Sequence, residues 1–187
     1  MTVAHDSAPT VIAATERWLE IAVIGLGLCP FAERVQRRKL IRYRVSEQDS
    51  TAGLLDELGE ELLHLHAMDP RLCETSLLIH PRVLGDFDDY NQFLDEADAA
   101  LLAHGLTGEL QIASFHPRYR FAGTAPDDVE NYTNRSPYPM LHLLREASVT
   151  RAVAAFPDVT QIGARNAATL RTLGIAGWRA LWSDAKT

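Results

Sequence analysis

The sequence predicts an α/β protein: a single layered domain with a small three-stranded, mostly parallel sheet in βαβαβ order, flanked by an N-terminal helix and C-terminal helices. Three observations carry this expectation. Short apolar runs at Leu40–Val45, Thr75–Ile79 and Leu110–Phe115 alternate with longer segments of helical periodicity, as crossover helices between parallel strands require. The middle run, TSLLI, is apolar enough to be a central strand. The length of 187 residues, with 47% hydrophobic and 23% charged side chains, fits one globular domain. An α+β arrangement with a mixed sheet is the alternative.

Residues 1–9 read as a disordered end. From Thr10 to Leu26 the residues Val11, Thr15, Trp18, Leu19, Ala22, Val23 and Leu26 share one helical face. Gly25 and Gly27 end that helix, and Cys29-Pro30 keeps it from resuming. In the first strand Ile41, Tyr43 and Val45 oppose Arg42 and Arg44. Asp49, Ser50 and Thr51 offer N-caps for a second helix with a stripe of Leu54, Leu55, Leu58, Leu62 and Leu65. After the second strand, Asp86 caps a third helix that carries Phe87, Tyr90, Phe93, Leu94, Ala97, Leu101 and Leu102 and closes at Gly105. Beyond the third strand, residues 116–137 form a long loop. Pro139 suits a helix first turn, with Met140, Leu143, Leu144 and Ala147 continuing that helix. Pro157 interrupts it, a weaker helix covers Gln161 to Leu173, and Trp178, Leu181 and Trp182 dock the tail.

The net charge of −7 argues against a nucleic-acid or anionic-membrane partner, which wants a basic face. The N-terminus lacks a basic start and an apolar signal core, and no apolar run reaches the roughly 20 residues of a membrane span. The expectation is a cytoplasmic protein with reduced thiols at Cys29 and Cys73. Cys73 reads as structural. A thiolate at Cys29 needs a helix N-terminus or a cationic neighbour. A histidine or arginine from the loop would make Cys29 a nucleophile; otherwise it is a small hydrophobe.

Two strands run into the same three residues, SLLIHPR (Ser76–Arg82) and IASFHPR (Ile112–Arg118). In parallel strands both corners lie at the carboxyl edge, where open α/β sheets bind ligands. Each histidine either reaches into a crevice or bonds a loop carbonyl. The loop after His116 is too long for a simple connection and too aromatic for disorder. Arg118, Arg120 and Arg135 offer forks for a carboxylate or phosphate, or pair with Asp127, Asp128 and Glu130. Asn131, Asn134 and Tyr119 are further candidates for binding substrate, although the asparagines also suit tying the loop to itself. His142 falls in a helix first turn, facing the crevice or packed between helices.

The strings LCPFA (Leu28–Ala32), TSLLIHP (Thr75–Pro81), QIASFHPRYRFAG (Gln111–Gly123) and DDVENYTNRSPYPMLHLLRE (Asp127–Glu146) resemble the bacterial family catalogued as domain of unknown function 1415. The resemblance runs from Trp18 to about Val153. It implies a small bacterial cytoplasmic protein and supplies no catalytic residue to carry over.

The residues themselves suggest an enzyme for a small polar or anionic substrate. His116 is the acid–base group, oriented by Asp127 or Asp128, with an arginine clamp. A metal-assisted version places a divalent transition metal on His80, His116 and His142 with one aspartate. The alternative is a non-enzymatic module that binds a metabolite or a protein.

Overall fold

A computed structural model describes residues 6–154 and 161–183. Four strands, β1 (Ile41–Val45), β2 (Thr75–Ile79), β3 (Leu110–Phe115) and β4 (Met140–Arg145), form one sheet in the order β1–β2–β4–β3. β1 and β2 are parallel, and β4 is antiparallel to both of its neighbours, β2 and β3. Three strands therefore share a direction, as expected. The sheet is nevertheless four-stranded and mixed, because β4 inserts between β2 and β3 where a helix was predicted.

The reason lies in burial on both faces. Met140, His142 and Leu144 point to one side of β4, and Leu141 and Leu143 to the other. A strand covered on both sides loses its polar alternation, and its apolar run then imitates helical spacing. Pro139 stands just before a strand. The helix begins only afterwards, as α5 (Glu146–Ala154).

One face of the sheet is covered by α3 (Thr51–Ala67) and α4 (Phe87–Ala103). Ser50 caps α3 by accepting the Gly53 N–H at 3.2 Å, and Asp86 caps α4 by accepting that of Asp88 at 2.9 Å. Leu54, Leu58, Leu62 and Leu65 are fully buried against Leu78, Leu141 and Leu143, each contributing about 1.5–3 kcal/mol. The polar side of β1 also finds partners on α3. Arg42 bonds Glu61 and Arg44 bonds Glu57, both at 2.7 Å.

The other face is covered by α1 (Ala8–Trp18), which continues as a π-helical turn over Leu19–Ile24, and by α2 (Ala32–Arg37), α5 and α6 (Ile162–Ala180). α1 starts earlier than expected, since Ser7 caps it and Pro9 sits in its first turn; residues 1–5 lie outside the described residues. Gly27, at φ 65°, turns the chain out of the π segment. α2 is an element for which the sequence gives little sign, being short and without buried residues. α6 runs past Leu173 by kinking at Gly174, φ 65°. Trp178 lies between Tyr132 and Trp182, with ring centroids 4.9 and 5.7 Å away. Pro157 falls outside the described residues. No described helix is long and apolar enough to cross a membrane.

Candidate functional site

The two His-Pro-Arg corners do meet at one edge of the sheet, and what they hold is a loop. His80 Nδ1 donates to the Val83 carbonyl at 3.1 Å. His116 Nε2 donates to that of Leu84 at 3.1 Å, and Arg118 to that of Gly85 at 2.5 Å. Three successive carbonyls are thereby tied down just ahead of the α4 cap. The strap has a physical purpose: Leu84 sits at φ 56°, a left-handed conformation that costs a side-chain-bearing residue about 1–2 kcal/mol.

His116 has no ring nitrogen left over. Its Nδ1 accepts the Arg118 backbone N–H at 2.9 Å, which together with the Leu84 bond fixes the neutral tautomer. Both histidines are 0% exposed. Tyr90 lies between their rings, with centroids 5.7 Å from His80 and 5.1 Å from His116. The Tyr90 hydroxyl accepts the Phe115 N–H at 3.1 Å and donates to the Met140 carbonyl at 2.8 Å, bridging the end of the β3–β4 ladder. Burial lowers both imidazoles, His80 to about 4.

The loop candidates are mostly committed to the loop. Asn131 is buried, accepting from the Phe121 N–H and the Thr124 hydroxyl and donating to the Ala125 carbonyl. Asn134 donates to the Ser114 carbonyl, and Asp128 accepts the Ala125 N–H. Arg135 donates to Tyr119 O and Pro126 O and lies 4.2 Å over the Tyr132 ring. Tyr119 packs edge-on against Phe87 and Phe121. Arg118, Arg120, Arg135 and Asp127 do converge, on one open depression of about 380 Å³. There Arg118 pairs with Asp86 at 3.2 Å and Arg120 with Asp88 at 3.3 Å.

The three-histidine metal site is not assembled. His142 lies mid-strand, opposite Leu77 and Ala113, away from the edge where His80 and His116 meet, and it is not at a helix N-terminus. No group of three or more His, Cys, Asp or Glu suited to a metal occurs among the described residues.

His142 instead lines a cavity of about 280 Å³ between the sheet and the α1, α2 and α5 layer. The walls are largely apolar and partly aromatic: Trp18 and Phe115 meet edge-on at 5.4 Å, and Phe31, Val23, Leu77 and Leu144 complete them. His142 Nε2 lies 2.7 Å from Thr75 Oγ1, a diagonal neighbour on β2. The Thr75 hydroxyl donates its one hydrogen to the Leu143 carbonyl at 2.5 Å. It must therefore accept from His142, which puts the imidazole proton on Nε2 and leaves Nδ1 a bare acceptor with no bond to a described residue. Burial holds this imidazole down to about 4, so it is neutral at ordinary pH.

Cys29 lines the same cavity, just ahead of α2. Burial pushes its thiol up, more strongly than the Phe31 and Ala32 backbone N–H groups pull it down. It is an S–H at neutral pH and not the thiolate that nucleophilic chemistry needs.

Sequence reasoning passed over Thr75, Gln111, Trp18 and His142 as members of one site. The available signal was a set of polar residues at inward strand positions, which becomes visible once 140–145 is read as a strand. No curated protein and no solved structure gives a significant match to the chain. The family model "Protein of unknown function (DUF1415)" matches residues 10–180, nearly the whole chain, and the protein belongs to that family.

Proposed function

We propose that the protein is a small-molecule-binding module whose ligand occupies the cavity beside His142. The observation that carries this reading is a recessed, mostly apolar space whose sheet wall presents a bare hydrogen-bond acceptor, His142 Nδ1. Ligand sites commonly take this form, with apolar walls and few oriented polar groups. At about 280 Å³, the space is close to double the roughly 150 Å³ cavity that takes up benzene. It suits a substituted aromatic ring with a donor directed at His142.

Binding is favoured over catalysis by the state of the groups present. A general base works best with a pKa near the operating pH, and His142 sits far below it at about 4. Cys29 is protonated for the reason given above. Neither group is tuned for turnover, and both suit a hydrogen-bonded, apolar ligand.

The enzymatic alternative, built on His116 with Asp127 or Asp128 and an arginine clamp, has one observation in its favour: the shared depression of Arg118, Arg120, Arg135 and Asp127. Its acid–base group, however, has both nitrogens bonded to backbone. Turnover of a carboxylated or phosphorylated metabolite, abolished by His116→Gln in a folded protein, would restore that alternative.

The test uses para-propylphenol, a neutral ring with one donor, followed by calorimetry and by the rate of Cys29 alkylation. Binding should be saturable and should slow alkylation. Ala113→Phe, which fills the space, should abolish it. His142→Leu should weaken it about tenfold, the equivalent of one net hydrogen bond of about 1–1.5 kcal/mol. Affinity unaffected by both substitutions would remove the cavity from the account.

A further inference from the structure

Resting on the cavity reading, we infer that the ligand also carries a carboxylate, held at the cavity mouth by Arg34 and Arg151. Arg34 and Glu74 line both the cavity and an adjoining open depression of about 590 Å³, to which Arg151 contributes. The two spaces thus meet at a charged rim.

The rim's charges are incompletely matched. Glu74 is only 8% exposed, and its Oε1 has no hydrogen-bond partner. Arg34 approaches that oxygen at 3.5 Å and Arg151 at 3.9 Å, ion-pair distances without a hydrogen bond. Two guanidinium groups lean on one carboxylate, and Arg38 also lines the depression, so positive charge is in excess at the rim. Arg34 donates no hydrogen bond to a described residue, while Arg151 gives one N–H to Ser148 at 2.9 Å. The neighbouring Arg71 adds nothing to the surplus, being held by Asp69 at 2.6 Å.

An anion matches the excess positive charge, and the uncommitted forked donors of Arg34 and Arg151 suit the two oxygens of a carboxylate. In a chain of net charge −7, this rim is a local inversion of sign, and it draws an anion toward the cavity by field focusing. Together with the aromatic walls and the bare His142 Nδ1, the chemistry describes an arylalkanoate. Its ring lies against Trp18 and Phe115, its donor faces His142, and its carboxylate sits at the rim.

Three ligands of nearly one shape separate this inference from the reading beneath it: para-hydroxyphenylpropanoate, para-propylphenol and tyramine, which are anionic, neutral and cationic. Calorimetry on the full chain should rank the acid about tenfold or more tighter than the neutral phenol, with the amine weakest. Added salt should weaken the acid and leave the phenol unchanged. The double variant Arg34→Gln/Arg151→Gln should bring the acid down to the phenol's affinity without altering the phenol's own. Both arginines are exposed, so folding should survive, and far-ultraviolet circular dichroism checks it. Equal binding of acid and phenol to the parent protein, or an acid preference that persists in the double variant, overturns the carboxylate inference and leaves the cavity reading standing. Failure of all three ligands to bind overturns both.

Discussion

The carboxyl edge and the α1–α2 face each carry histidine on the sheet, and they treat it oppositely. At the edge, His116 has both ring nitrogens bonded to backbone and His80 bonds the same loop, with Tyr90 packed between the rings. On the other face, His142 bonds Thr75 through one nitrogen and leaves the second beside open space. The residue type is the same and desolvation lowers the imidazoles of both regions, but His80 and His116 are fully buried while His142 is partly buried beside its cavity. His80 also keeps one ring nitrogen, Nε2, without a partner, yet sealed in the core, so a binding group needs both hydrogen-bonding capacity left after folding and volume next to it. The long polar loop illustrates the first condition, since most of its candidate donors are already taken by the loop.

Substitution should expose the contrast most strongly at His116. His116→Ala leaves the Leu84 carbonyl and the Arg118 N–H unpaired beside a void, and should cost about 3–4 kcal/mol in urea unfolding. His142→Leu should stay within about 1 kcal/mol of the parent, because Thr75 keeps its bond to Leu143. Equal costs at the two positions would erase the distinction.

The next effect is that of pH. His80 is lowered from 6.5 to about 4 in the folded chain, so between those values the unfolded chain binds more protons. Stability therefore rises with pH through this window; it is complete above the upper value and lost as pH falls toward the lower one. His80 alone should make the protein about 2 kcal/mol less stable at about pH 5 than at about pH 7. A flat urea midpoint over that range would mean that His80 is not buried neutral.

Tyr90→Phe removes the hydroxyl that bridges Phe115 and Met140. It should cost about 1.5 kcal/mol and raise amide exchange at Phe115. The smallest effect belongs to the arginines of the edge depression. Arg120→Gln breaks an exposed pair with Asp88, should cost under about 0.5 kcal/mol, and should leave phenol binding unaltered.

Much of the frame was legible in residue patterns. Ile41–Val45, the leucine stripe of α3, the Asp86 cap and the meeting of the two His-Pro-Arg corners all follow from periodicity and cap chemistry. β4 was not, because burial on both faces removes the alternation that identifies a strand. That one misreading moved His142 from the sheet to a helix end, and the cavity could not be foreseen without it. The role of the His-Pro-Arg repeat was half legible. Its shared edge follows from strand direction, whereas its partners, the carbonyls of Val83, Leu84 and Gly85, depend on a loop conformation that residue types do not encode. α2 escaped because six residues with no buried side chain leave no periodic trace.

The most direct test of the central contrast is nitrogen NMR of isotope-labelled histidine rings during titration with para-propylphenol. His142 should carry its proton on Nε2, and its Nδ1 signal should move saturably as ligand is added, while His80 and His116 stay still. Saturable movement at His116 with His142 unchanged would contradict that contrast, and would return the site to the carboxyl edge.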